Sequence, residues 1–119
     1  MDYKTIVTGF GELYAELYEQ GMIVVFNDTA PKELAELSAL HTAAALKRDV
    51  YPGDTVLLGN KMYRVSAVGK EASRTLGKMG HCTFVFTGSE TAELDGRIVL
   101  SGDGMPEIRA GDPFEIYFN

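Results

Sequence analysis

A mainly β fold, a small closed or partly open β-barrel of about seven short strands with two or three short helices, is what this sequence predicts. Two observations carry that expectation. Apolar and polar residues alternate at period two through most of the chain, the mark of strands with one buried face. Glycine and proline turns separate the runs, and closing such short strands into a barrel removes exposed edges. With 119 residues, no repeat, no linker and no low-complexity tract, residues 1–119 read as a single domain.

In chain order, the first strand is expected over Lys4 to Thr8. Leu13, Tyr14, Leu17 and Tyr18 then share one helical face in the stretch Glu12 to Gln20, which Gly21 can close. A strand follows over Met22 to Phe26. Pro31 to Ser38 should be a helix, with proline in its first turn, Thr29 as N-cap and Glu33 near the positive end of the dipole. Pro52-Gly53-Asp54 marks a turn before two strands, Thr55 to Leu58 and Met62 to Val68, which Gly59-Asn60 should join as a tight hairpin. A third helix is expected over Glu71 to Met79, stopped by Gly80. The remaining strands are His81 to Phe86, Arg97 to Leu100, and a last one in which Phe114, Ile116 and Phe118 share a face.

Composition narrows the function classes. A net charge of −6 disfavours generic attraction to nucleic acid or anionic membrane, which needs a basic face, and favours basic protein partners. The single cysteine, Cys82, has no partner for a disulfide or a cysteine zinc site, and it falls on the apolar face of its strand, so it reads as a core thiol. No apolar run approaches the roughly 18 residues of a membrane helix. Met1-Asp2-Tyr3-Lys4 lacks the basic start and apolar stretch of a secretory signal, so a cytoplasmic location is expected. No glycine-rich phosphate loop or nucleophile-elbow serine is present, and Asn27-Asp28-Thr29 matches a glycosylation sequon that a cytoplasmic chain never uses.

Only His41 and His81 titrate naturally near neutrality, so acid–base, metal or phosphoryl chemistry runs most easily through them. If the helix opened by Pro31 continued, Leu34, Leu37, Ser38 and His41 would share one face and His41 would be a hydrogen-bonded core residue. Alternatively, small neighbours (Ala39, Thr42, Ala43, Ala44) leave His41 room to meet a partner protein. Both readings stay open on the residues alone. His81 points away from the Cys82, Phe84 and Phe86 stripe and is either a strand-end residue bonded to backbone or a support beside His41. Two histidines without a placed carboxylate make a weak zinc site, so no metal and no cofactor are expected.

Taken together, Ala30-Pro31-Lys32-Glu33-Leu34-Ala35-Glu36, Leu40-His41, Leu46, Tyr51-Pro52-Gly53, Tyr63-Arg64-Val65-Ser66-Ala67-Val68-Gly69, Leu76-Gly77-Lys78-Met79-Gly80-His81-Cys82-Thr83-Phe84 and Glu93-Leu94-Asp95-Gly96 resemble the glucitol/sorbitol-specific IIA family of the bacterial phosphotransferase system. The words are individually common; their order and spacing are specific. The resemblance implies a phosphotransferase component with a phosphohistidine intermediate. Its acceptor would be His41, the position about ten residues after the alanine–proline pair, with His81 and Thr42 as supporting residues. Some relatives carry a second histidine where this chain has Ala43. The donor would be phospho-HPr and the recipient a cysteine of the IIB component, with only indirect association with the membrane through the transporter and self-association left open. It also implies an unprotonated nucleophilic nitrogen, Nε2, at a shallow apolar surface with an acidic rim, and a second ring nitrogen fixed by a hydrogen bond. The rival readings are a phosphorylation-dependent regulator and a non-catalytic β-domain binding module.

Overall fold

The computed structural model describes residues 2–119 as a closed barrel of eight strands. The strands are β1 (Tyr3–Phe10), β2 (Met22–Asn27), β3 (Ser38–His41), β4 (Thr55–Leu58), β5 (Lys61–Val68), β6 (Cys82–Val85), β7 (Arg97–Ser101) and β8 (Pro113–Tyr117). Three short helices connect them: α1 (Tyr14–Glu19), α2 (Lys32–Ala35) and α3 (Ala72–Met79). Around the barrel the order is β1, β3, β2, β6, β7, β5, β4, β8, and back to β1. Neighbours are antiparallel except β2 with β3 and β6 with β7. Among the described residues no helix is long and apolar enough to cross a membrane.

All seven expected strands form; alternation commits one face of β1, β4 and β8 to the interior, whereas in β7 Ile98, Val99 and Leu100 are all buried. Tyr3, Thr5 and Val7 of β1, Val56 and Leu58 of β4, and Phe114 and Ile116 of β8 are buried while their neighbours are half or fully exposed. The Gly59-Asn60 turn joins β4 to β5, with Leu58 paired to Lys61, and Gly59 alone takes a positive φ, of 64°. The eighth strand is the correction. Ser38–His41 begins where the helix expected over Pro31 to Ser38 should end, but α2 stops at Ala35 after one turn, and Thr29 caps nothing. Strand β3 then inserts between β1 and β2, where Ala39 is buried among core side chains and Leu40 pairs with Phe26. Helix propensity in Ala39-Leu40 is worth only tenths of a kcal/mol, so two ladders of backbone hydrogen bonds override it.

The interior is filled by Tyr3, Ile23, Leu58, Phe84, Ile98, Leu100, Phe114 and Ile116, all fully buried, and α3 closes onto it through Ala72 and Leu76. Phe114 is the hub, meeting Tyr3, Phe84 and His41 edge-on at centroid distances of 5.7, 5.6 and 4.9 Å. A second tie binds the chain end to the turn before β4. The carboxylate of buried Asp54 receives both guanidinium arms of Arg48, at 3.0 and 2.8 Å, and the N–H groups of Tyr51 and Asn119, both at 2.9 Å. Burial would raise that carboxyl's pKa, but these donors outweigh it and hold it below the ordinary value. Replacing Phe84 with alanine should cost about 3–5 kcal/mol of unfolding free energy by opening a cavity at this hub, a loss readable in urea titrations. A cost below about 1 kcal/mol would mean the barrel interior is not the stabilising core.

Candidate functional site

Helix α3 ends in a corner that joins the two histidines. Gly80 stops the helix with a left-handed φ of 64°, its N–H bonded to the Leu76 carbonyl. Thr75 then holds the next residue on both sides: its carbonyl accepts the His81 N–H at 3.3 Å and its hydroxyl donates to the His81 carbonyl at 2.7 Å. Glycine is required at position 80 for a second reason. A Cβ there would come within 2.7 Å of the His41 Cε1 and 3.0 Å of its Nε2.

His41, the last residue of β3, points inward at this corner and is 1% exposed. Its Nδ1 lies 2.8 Å from the Thr42 carbonyl oxygen and its Nε2 lies 2.7 Å from the Gly80 carbonyl oxygen. Both partners can only accept, so a neutral ring donates to one and turns its lone pair toward the other. Neither nitrogen faces outward. The open, shallow surroundings expected for this residue are therefore absent; the small neighbours Ala39 and Thr42 serve strand packing instead. Burial pushes the imidazole pKa down from 6.5, opposed by the Gly80 and Thr42 carbonyls and the negative charge of Asp28. Thr42 supports the ring through its carbonyl, while its hydroxyl accepts the N–H of Ile6 at 3.0 Å.

His81 lies on the other side of the barrel wall. Strand alternation sends the adjacent Cys82 inward, 1% exposed, and leaves His81 partly exposed. Its Nδ1 is 3.1 Å from the Val25 carbonyl oxygen of β2, and its ring stacks on Phe26 at 4.7 Å and 28°. Because a carbonyl cannot donate, Nδ1 must carry the proton. Nε2 is then the bare nitrogen in the neutral ring, and it makes no hydrogen bond among the described residues and is not a buried atom.

The structure thus brings His41, Thr42 and His81 to one corner, but places the two rings on opposite faces of its wall. Sequence reasoning missed Thr75, Val25, Phe26 and the exact fit of Gly80. Only the Gly80-His81 pair at a helix end signals the corner; the others act through backbone atoms or a stacked face. Cys82 is a free thiol whose pKa burial raises, consistent with a core role. Among the described residues no three metal-ligating side chains converge.

The family model described as "PTS system glucitol/sorbitol-specific IIA component" matches residues 2–115. Two curated relatives, the glucitol/sorbitol-specific EIIA components of Shigella flexneri and Escherichia coli strain K12, are each 32% identical over 109 residues, covering 92% of this chain and 89% of theirs. The crystal structure of a PTS system IIA component from Enterococcus faecalis V583 superposes with a TM-score of 0.83 at 23% identity, covering 98% of this chain and 99% of that one, and so shares the fold. A closed β-barrel with a histidine corner thus falls in the class of phosphotransferase-system IIA components. Within that class, the chain belongs to the glucitol/sorbitol-specific IIA family.

Two outcomes follow from the corner. Gly80→Ala should destabilise by more than the roughly 1–2 kcal/mol of a left-handed alanine, because the new methyl also overlaps the His41 ring; an unchanged denaturation midpoint would refute the packing. The lowered pKa of His41 means the unfolded chain protonates first on acidification. Its contribution to stability is complete above the ordinary value of 6.5 and is lost as pH falls through the lower folded value. Melting curves between about pH 8 and pH 5 should show a steeper fall of Tm in the native chain than in His41→Gln, which cannot titrate. Parallel profiles would contradict the assignment.

Proposed function

We propose that this chain is a cytoplasmic phosphoryl carrier for glucitol/sorbitol uptake, taking the group from phospho-HPr and passing it to a cysteine of the IIB component. The observation that supports the reading most is the convergence of the chain's two imidazoles on the Gly80-His81 corner, in a family whose members are phosphotransferase components. An imidazole is suited to the task because it attacks as a neutral nucleophile and leaves again as one at neutral pH. Transfer proceeds through a loose transition state, so positioning and electrostatics carry the catalysis, and the reading calls for no metal or nucleotide on this component.

The family resemblance assigns the accepted group to His41. For that ring to attack, the Gly80 carbonyl must release Nε2 and the α3–β6 corner must lift away, since the ring is sealed from solvent. Docking is favoured by charge: a chain of net −6 attracts a basic partner face and speeds encounter.

Incubation with radiolabelled phosphoenolpyruvate, enzyme I and HPr should place one acid-labile phosphoryl group on each chain, and added IIB should remove it. The double variant His41→Ala/His81→Asn, checked for native circular dichroism, should take none. Labelling of that variant at the native level would rule out a histidine carrier at this corner.

A further inference from the structure

We infer that the cleft on the outer wall of β2, β6 and β7 binds a small phosphate monoester rich in hydroxyl groups. In the choice of a phosphorylated polyol as that compound the inference rests on the carrier reading above, since a glucitol/sorbitol phosphotransfer route yields one. The cleft holds about 430 Å³, a size suited to small ligands. None of the residues of the histidine corner lines it.

Its floor is apolar for a reason outside the barrel core. Ile98 and Leu100 of β7 fill the interior, so alternation turns Val99 to the outer wall, yet Val99 is only 2% exposed. There it joins Val85 and Ala67 in a second buried cluster, against which Met22 and Ala92 pack. The connection from β6 to β7, which carries Ala92, is tied to the wall. The Ser66 hydroxyl donates to the Ser89 carbonyl at 2.8 Å, and the Gly88 N–H to the Leu100 carbonyl at 3.0 Å. The cleft is therefore formed in the free chain, and a ligand entering it need not order the walls.

One cation and several hydrogen-bonding side chains face this space. Arg97 is half-buried, and among the described residues its guanidinium is in no ion pair; it donates only to the Met22 sulfur, at 3.9 Å. A thioether is a weak acceptor, so most donors of this partly desolvated arginine are unmatched. Phosphate oxygens fit that planar fork. Glu93 lines the same cleft without pairing to Arg97, and its carboxylate can accept hydroxyl protons. Gln20, Thr87, Ser89 and Thr91 add neutral donors and acceptors. A bare anion would meet Glu93 as repulsion alone. A ligand with an anionic end and a hydroxylated body uses both residues.

The test titrates the full ¹⁵N-labelled chain, followed by NMR, with glucitol 6-phosphate, glucitol and sodium phosphate as separate probes. Glucitol 6-phosphate should shift the amide signals of Gly21, Thr87 and Arg97 saturably, and bind at least about 10-fold more tightly than glucitol or phosphate alone. Arg97→Gln should weaken it by roughly 10- to 100-fold, the loss expected when a charge-assisted hydrogen bond is removed. Arg97→Lys should keep part of the affinity, and Glu93→Gln should narrow the gap between glucitol 6-phosphate and phosphate. The spectra of all three variants report whether the barrel is intact. Absence of saturable shifts at these residues, native affinity in folded Arg97→Gln, or phosphate binding as tightly as glucitol 6-phosphate would each overturn the inference. Labelling by phospho-HPr is read on the same sample. A chain that takes the label but does not bind glucitol 6-phosphate overturns this inference alone; a chain that takes no label overturns the carrier reading on which the choice of ligand rests.

Discussion

The contact between the His41 ring and the Gly80 carbonyl joins parts of the chain that lie far apart in sequence. One end belongs to β3, wedged between β1 and β2; the other belongs to the turn by which α3 hands the chain to β6. At 2.7 Å inside a sealed corner, the contact is electrostatically strong, and the low local dielectric makes its loss costly. It also dictates glycine at position 80, since any β-carbon would strike the ring. A single buried imidazole therefore ties the end of β3 to the residue that stops α3 and precedes β6.

The barrel turns that corner into a platform with two faces. Strand alternation makes His81 and Cys82 diverge, so one histidine-bearing corner serves the core through His41 and the surface through His81. The inward ring sits edge-on to Phe114, the residue at which the aromatic core meets, and shares its rigidity. The outward ring rests on β2, the neighbour of β6, by a backbone carbonyl and a phenylalanine face. Both attachments run through regular strands, which hold geometry more tightly than loops. That suits a reaction in which placement of the phosphorus is most of the catalysis.

Most of this barrel was legible because its strands speak in period two. Phe114, Ile116, Val56, Leu58 and Tyr63 declare an inner face in sequence and occupy it. Strand β3 was not legible, since Ser38-Ala39-Leu40-His41 is too short to show a period and follows a proline-led helical start. Its strand state is decided by pairing with residues about 30 positions earlier on β1, a contact no local signal carries. The helical reading already made His41 a hydrogen-bonded core residue, as it is; what it hid was the direction of the ring, which the strand turns into the barrel interior against the Gly80 carbonyl. The residues were readable as chemistry, both histidines included, but not as directions, because the partners that orient them are the carbonyls of Thr42, Gly80 and Val25. Backbone carbonyls leave no mark on a sequence.

Those carbonyls also bear on reversibility. A carrier must release its phosphoryl group as readily as it accepts it, so neither state of the ring can be held much more tightly than the other. A carboxylate against Nδ1 would favour the positive, phosphorylated ring strongly and make release slow. Each histidine of the corner meets a carbonyl instead, Nδ1 of His41 the Thr42 oxygen at 2.8 Å and Nδ1 of His81 the Val25 oxygen at 3.1 Å, neutral dipoles that orient a ring without the pull of a full negative charge. Phe26, stacked on the His81 ring at 4.7 Å, adds an apolar face to these neutral surroundings. Both rings are thus held by uncharged groups.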